Sequence, residues 1–273
     1  VNAVDDILAY AFPPPLVQLR HVVINSVAAE RFSRRTGMCP RVIPNVMDFA
    51  NPPAGPNHFA ARFREELGIR DDQLLVLQPT RVVARKGIEH SIELVRHLGV
   101  ERARLVITHA SGDEGDAYAR RIRDFADTMG VEPIFADEKI GAVRGTTADG
   151  GARFSVADAY GAADIVAYPS AYEGFGNAFL EAVYYRKPIV CNRYAIYRTD
   201  IEPCGFRVIL FDGFLTGETV REVERVAGDG GLRDEMVGHN YEIGERHFSY
   251  EVLERELVAL LREIGSASCR ERV

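Results

Sequence analysis

The stretch "LLVLQPTRVVARKGIEHSIELVRHLGVERARLVIT", residues 74–108, decides how the rest of the chain is read. Its two ends, Leu74 to Gln78 and Ala103 to Thr108, are short apolar runs rich in Leu, Val and Ile and bounded by turn residues. Such runs predict strands buried on both faces, and the amphipathic segment between them, Gly87 to Leu98, predicts a helix. A helix between two strands returns the chain to its starting edge, so the strands lie parallel.

The alternation continues on both sides. A helix is expected over His58 to Leu67; after Thr108 come a helix from Asp116 to Met129 and a strand from Pro133 to Ala136. A helix from Ser155 to Tyr160, a strand from Asp164 to Ala167, a helix from Asn177 to Tyr185 and a strand from Pro188 to Cys191 follow. This is the pattern of an α/β, Rossmann-like doubly wound parallel sheet. Charged amphipathic stretches from Gly217 onward, including "TVREVERVAG" and "SYEVLERELVALLREIG", predict C-terminal helices, with 229–265 as a helical closure. Residues 266–273 lose the periodicity and read as a non-native or disordered tail.

Ahead of the repeating units, "RHVVINS" predicts a strand and "SVAAERFSRRTG" a helix. "PRVIPNVMDFANPPAGPN" breaks the pattern with prolines, Asn and Asp and predicts a linker. The residues ahead of the linker are too few for a domain, so either they pack onto the main domain, 45–228, or the chain is the later part of a longer protein. The segment "DEKIGAVRGTTADGGARFS" interrupts the alternation and reads as either a mobile lid or a disordered insertion.

With 273 residues, 47% of them hydrophobic, the chain can bury a sizeable core. The net charge of -7 argues against a broad nucleic-acid surface, so phosphate binding, if present, is local. Cys39, Cys191, Cys204 and Cys269 lie far apart without metal-ligand spacing, which predicts free buried thiols and a cytoplasmic setting. The chain shows no integral membrane segment. The acidic cluster "GDEGD", ending at Asp116, sits at an expected helix start and reads as an N-cap with solvated charge, leaving no metal site expected.

Ligands of open α/β sheets sit outside the carboxyl ends of the strands. The loop after Leu74 to Gln78 carries Arg81 and Lys86; the loop after Asp164 to Ala167 reads "YPSAYEGFGNAFLEAV" and runs into a helix. There Gly174 and Gly176 permit close backbone approach, and the N–H groups of Phe175, Gly176 and Asn177 would face an anion at the positive end of the helix. Arg81 and Lys86 would add the positive charge that a diphosphate requires. Glu181 lies one turn into the helix, within reach of adjacent hydroxyls, and Glu173 lies before the glycine turn. Taken singly, each has a plainer reading: a first-turn Glu already suits the helix dipole, Glu173 suits a solvated loop, and Arg81 with Lys86 suits a basic turn.

The E-x7-E spacing of Glu173 and Glu181 in "PSAYEGFGNAFLEAV" resembles the donor-site signature of the retaining family 4 glycosyltransferases. "TRVVARKG" resembles that family's arginine and lysine turn, and "IPNVMDF" its interdomain linker; the similarity runs from about His21 to about Gly228. The resemblance implies the C-terminal, donor-binding half of a GT-B architecture, with 45–228 as the nucleotide-sugar-binding domain. It implies a hexosyltransferase that moves a sugar from a UDP-, GDP- or ADP-linked donor to an acceptor hydroxyl with retention, without cofactor or metal. Arg81 and Lys86 would hold the diphosphate with the backbone of Gly174 to Asn177, Glu181 the ribose and Glu173 the transferred sugar. Glu173, Arg81 and Lys86 are the expected catalytic residues.

The chain also departs from that family. Arg186 and Lys187 stand where members carry a glycine before the Pro of "KPIV", a change read as a surface substitution. "CNRYAIYRTDIEP" replaces a glycine pair, which brings Tyr194 and Arg198 into question as sugar contacts. Where the family carries most of an N-terminal acceptor domain, the resemblance leaves only its last strand and helix here, His21 to Gly37, and makes residues 1–44 the remnant of that domain with the start of the linker. An inactive nucleotide-sugar-binding fragment or pseudoenzyme is therefore an alternative, as is a GT-B nucleotide-sugar epimerase.

Overall fold

The computed structural model describes residues 19–53, 55, 57–111, 117–147 and 150–270. Strands β1 (Val22–Val23) and β2 (Arg41–Val42) flank helix α1 (Ser26–Thr36) and pair in parallel. After α2 (His58–Glu66) come β3 (Leu74–Gln78), α3 (Ile88–Leu98), β4 (Ala103–Ile107), α4 (Ala117–Met129) and β5 (Ile134–Phe135). Strands β6 (Ile140–Gly141), β7 (Gly145–Thr146) and β8 (Ala152–Ser155) precede α5 (Val156–Ala162), β9 (Ile165–Tyr168), α6 (Asn177–Tyr184), β10 (Ile189–Asn192) and β11 (Ile209–Phe211). Helices α7 (Gly217–Gly228), α8 (Gly230–Phe248) and α9 (Tyr250–Arg270) close the chain.

The six main strands form a parallel sheet in the order β11-β10-β9-β3-β4-β5. Its central strand shows why the sequence folds this way. Side chains alternate across a strand, so Leu75 and Leu77 enter one core with Phe63, Tyr160 and Phe179, while Val76 enters the other with Ile88, Ile92 and Ile165. All three β3 side chains are fully buried, each contributing about 1.5–3 kcal/mol. From β3 the chain steps outward through β4 and β5, then crosses to the other side of β3 to begin β9. The switch point therefore lies between the carboxyl ends of β3 and β9.

The expected elements of the main sheet are present, but the sheet has one more strand than expected. β11 follows Arg207 and exposes Leu210, so its hydrophobic signal is broken. The segment read as a lid or disordered insertion instead builds the small β6-β8-β7 sheet. Arg144 forks onto Asp158 at 2.5–3.1 Å and lies 3.9 Å above the Phe59 ring, while Phe154 packs edge-on against Phe63. These contacts fasten the segment to α2 and α5. Helix α9 continues to Arg270, into the residues read as a tail. The acidic cluster before α4 lies outside the described residues.

Lys187 is not a plain surface substitution. Its Nζ donates to the carbonyls of Gly161 at 3.2 Å and Ala163 at 2.8 Å, and burial lowers its pKa to about 8 despite nearby Asp164. Arg186 does occupy glycine-like backbone, with φ 53°, and its guanidinium covers the Tyr241 ring. Of the thiols, Cys191 is buried as expected, whereas Cys39 is exposed. The linker is fixed from the C-terminal side: Met47 N–H donates to Phe248 O, Tyr241 OH donates to Phe49 O, and Arg41 pairs with Glu256 and Glu263.

Candidate functional site

The loops after β3, β4 and β9 converge on a cleft of about 750 Å³ at the switch point. Buried Gln78, at the end of β3, donates from Nε2 to Lys86 O at 3.1 Å and so folds the Arg/Lys turn back over the strand. The short helical turn Ala84–Lys86 ends at Gly87, which has φ 59°. A Cβ there would stand 2.5 Å from Pro169 O, so the turn rests directly on the loop leaving β9.

Across the cleft, Gly176 precedes α6 with φ 137°, and a Cβ on it would meet Tyr194 Oη at 2.5 Å. Tyr194 is buried and donates to Phe175 O at 2.8 Å. It supports the glycine turn from beneath and is not a sugar contact in this arrangement; Arg198 is exposed and pairs with Asp212. Asn25 serves two elements at once. Its Oδ1 caps α1 and its Nδ2 donates to Gly174 O, while Asn45 Nδ2 donates to Asn177 Oδ1. Phe175 turns its side chain inward against Phe248, leaving only its backbone for the cleft. No acceptor for the N–H groups of Phe175, Gly176 or Asn177 occurs among the described residues, and α6 has no acidic side chain in its first turn. The helix start is electrostatically positive.

The structure joins two of the expected site residues directly. Lys86 Nζ donates to one Glu173 oxygen, and Arg85 Nη1 holds the other at 2.9 Å. Lys86 is 8% exposed and Glu173 7%, with the ammonium 5.6 Å from the Tyr168 ring centre. Burial pushes the Glu173 carboxyl up, but Lys86 and Arg85 outweigh it and hold it below the ordinary carboxylate range. Burial also lowers the Lys86 ammonium, against the pull of Glu173. The pair stays ionised because each charge offsets the other's lost hydration. Arg81 differs: it is exposed on the rim and makes no ion pair among the described residues.

Glu181 sits at the far end of the cleft on α6, where its Oε2 accepts from Tyr160 OH at 2.9 Å. Tyr160 is fully buried and stacked on Tyr185, so this carboxylate is held from below with its other oxygen uncommitted. Burial and Glu181 together push the Tyr160 phenol well up, keeping it a donor. His109, after β4, lines the same cleft.

All the sequence-predicted site residues, Arg81, Lys86, Glu173, Gly174, Phe175, Gly176, Asn177 and Glu181, line this one cleft. Sequence reasoning missed Arg85, His109, Tyr160, Asn25 and Asn45. Reading the residue after every strand, rather than only after β3 and β9, would have found His109. The others are joined through space, as with Asn25 and Gly174, and leave no local signal.

Residues 76–208 match the family model described as glycosyl transferases group 1. Over 91% of its length the chain is 35% identical to a mannosylglucosylglycerate synthase of Thermotoga maritima, covering 62% of that protein. It is 31% identical to the protein of the same name from Petrotoga mobilis, with 76% of the chain aligned to 51% of that relative. The chain thus spans between about half and two thirds of these relatives' lengths. Among solved structures, Anabaena HepE in complex with UDP and glucose superposes with a TM-score of 0.70 at 16% identity, covering 88% of this chain and 62% of that one. That likeness identifies the fold as one half of a GT-B architecture.

Proposed function

We propose that the chain supplies the donor site of a retaining, metal-independent glycosyltransferase, because residues 76–208 match the glycosyl transferases group 1 model and its relatives are named synthases or glycosyltransferases. The observation that carries this reading is the convergence at the switch point: exposed Arg81, buried Lys86, N–H groups at the start of α6 that lack an acceptor among the described residues, and the two carboxylates Glu173 and Glu181 all line one cleft. A nucleoside-diphosphate sugar matches that order of charges. Arg81, Lys86 and the α6 backbone hold the diphosphate, Glu181 the ribose hydroxyls, and Glu173 a hydroxyl of the sugar.

Lys86 links two tasks in this scheme. It neutralises Glu173 and lies beside the leaving phosphate, so charge arriving on the diphosphate meets a cation already fixed in a dry setting. The acceptor hydroxyl attacks the sugar from the face that the nucleoside diphosphate leaves, and positioning supplies much of the acceleration. The UDP complex of HepE and the mannosyl product named for the Thermotoga maritima relative make UDP-linked and mannosyl donors the first to try. Acceptor recognition and transfer belong to the whole protein.

Calorimetric titration with UDP, GDP and ADP in chelator tests the donor site. At least one should bind, and Arg81→Ala should weaken it about ten- to a hundredfold, the loss of one charge-assisted contact worth roughly 1.5–3 kcal/mol. Failure of all three to bind would reject the donor site, and a strict need for a divalent ion would reject metal independence.

A further inference from the structure

His109 stands at the end of β4, next to β3 in the sheet, and lines the cleft together with Arg81, Lys86 and Glu181. Resting on the donor-site reading above, we propose that His109 is a further ligand of the donor's diphosphate and takes up a proton when the diphosphate binds.

The local geometry prepares the ring for both protonation states. His109 Nδ1 lies 2.6 Å from Thr108 Oγ1, and Thr108 is buried. A hydroxyl can donate to a neutral ring nitrogen and, after rotation, accept from a protonated one. The ring can therefore change charge without losing this partner, and Nε2, protonated in the neutral ring whose Nδ1 accepts, is a donor in both states. Among the described residues, the charged groups acting on His109 come from three neighbouring elements: Arg81 and Lys86 from the turn after β3, Glu181 from α6, and Asp137 from the turn after β5. Burial and the two cations favour the neutral ring over the pull of the carboxylates, so its pKa lies below the ordinary histidine value. A diphosphate between Arg81, Lys86 and the α6 start reverses this balance, bringing negative charge beside a ring that has a donor to offer. The proton comes from solvent, and no bond is made or broken in the bound donor.

Linkage gives the sign. A ligand that raises a group's pKa binds more tightly as pH falls between the bound and free values, by up to about tenfold for each unit of that shift. UDP-, GDP- and ADP-linked hexoses suit the test because their doubly esterified diphosphates do not titrate near neutral pH. Calorimetry of the whole chain in buffers of different ionisation enthalpy, from about pH 6 to about pH 8, should show net proton uptake with any of these that binds. His109→Gln should abolish the uptake, lose about tenfold in affinity at the acidic end and lose little at the alkaline end. Binding by the wild type without proton uptake would overturn the inference whatever the variant does, and so would uptake unchanged in the variant. Either result would leave the donor site standing, whereas binding of none of the three sugars would remove both.

Discussion

Two clefts of nearly equal size, about 750 and 790 Å³, open at opposite ends of the same sheet, and several of their cations are committed in different ways. At the strand starts, Arg64 is committed to Ala162 O, Gln73 O and Asp164, Arg144 to Asp158, and Lys187 to two carbonyls. Among the described residues at the switch point, Arg81 is exposed without an ion pair and the N–H groups at the start of α6 lack an acceptor, while Lys86 is buried against a carboxylate that itself lines the cleft. Volume alone does not distinguish the two clefts. The difference lies in whether the polar groups are already spent on the fold, and strand direction tells which end keeps them free.

The matched pair Lys86→Met and Lys187→Met tests this contrast most severely. Removing Lys86 leaves Glu173 buried with Arg85 as its remaining partner, and breaking a buried pair from one side costs about 3–5 kcal/mol. Removing Lys187 costs two backbone carbonyls their donor but also removes a buried charge, and because the two effects oppose each other stability should stay within about 1 kcal/mol of wild type. Urea unfolding measures both, and equal losses would mean that the two lysines are the same kind of residue. Nucleotide binding should vanish in the first variant and persist in the second.

Gly176→Ala should have the next largest effect, and at the switch point alone. The new methyl would meet Tyr194 Oη at 2.5 Å in a backbone conformation that side chains rarely adopt, a strain of about 1–3 kcal/mol. The turn relaxes by moving the N–H groups of the α6 start. Nucleotide affinity should therefore fall further than thermal stability does; a variant that binds normally would show that the turn's path is not what forms the site.

The contrast also explains what the sequence could show. β3 was legible to the residue because a strand buried on both faces reads as an unbroken apolar run, and Arg81, Lys86, Glu173 and Glu181 could be brought to one cleft because the segments carrying them follow the ends of two strands of one parallel sheet. β11 escaped because it is short and bears exposed Leu210. Arg85 looked like another solvated turn residue, since the carboxylate that fixes it lies 88 positions away along the chain. Lys187 was misread for the same reason. Nothing beside a residue in sequence reveals whether carbonyls will be waiting for it.

Lys187 gives the smallest effect and the sharpest sign. Burial lowers its pKa from the usual 10.5 to about 8, with Asp164 opposing, so the unfolded chain holds this proton more tightly than the folded one. Wherever the unfolded state binds more protons, stability rises with pH, and the window here opens near pH 8 and runs toward 10.5. Below it the buried ammonium is a burden, which makes Lys187→Met neutral or slightly stabilising at neutral pH. As pH rises through the window, wild-type Lys187 sheds its charge and the methionine's advantage should shrink. Lys86 and the raised tyrosines also titrate in alkali, so the meaningful quantity is the difference between wild type and variant, in which their contributions cancel. Denaturation curves from about pH 7 to about pH 9.5 would provide it. A constant difference would mean that Lys187 keeps its charge across the range, and that the cleft at the strand starts solvates it as fully as water does.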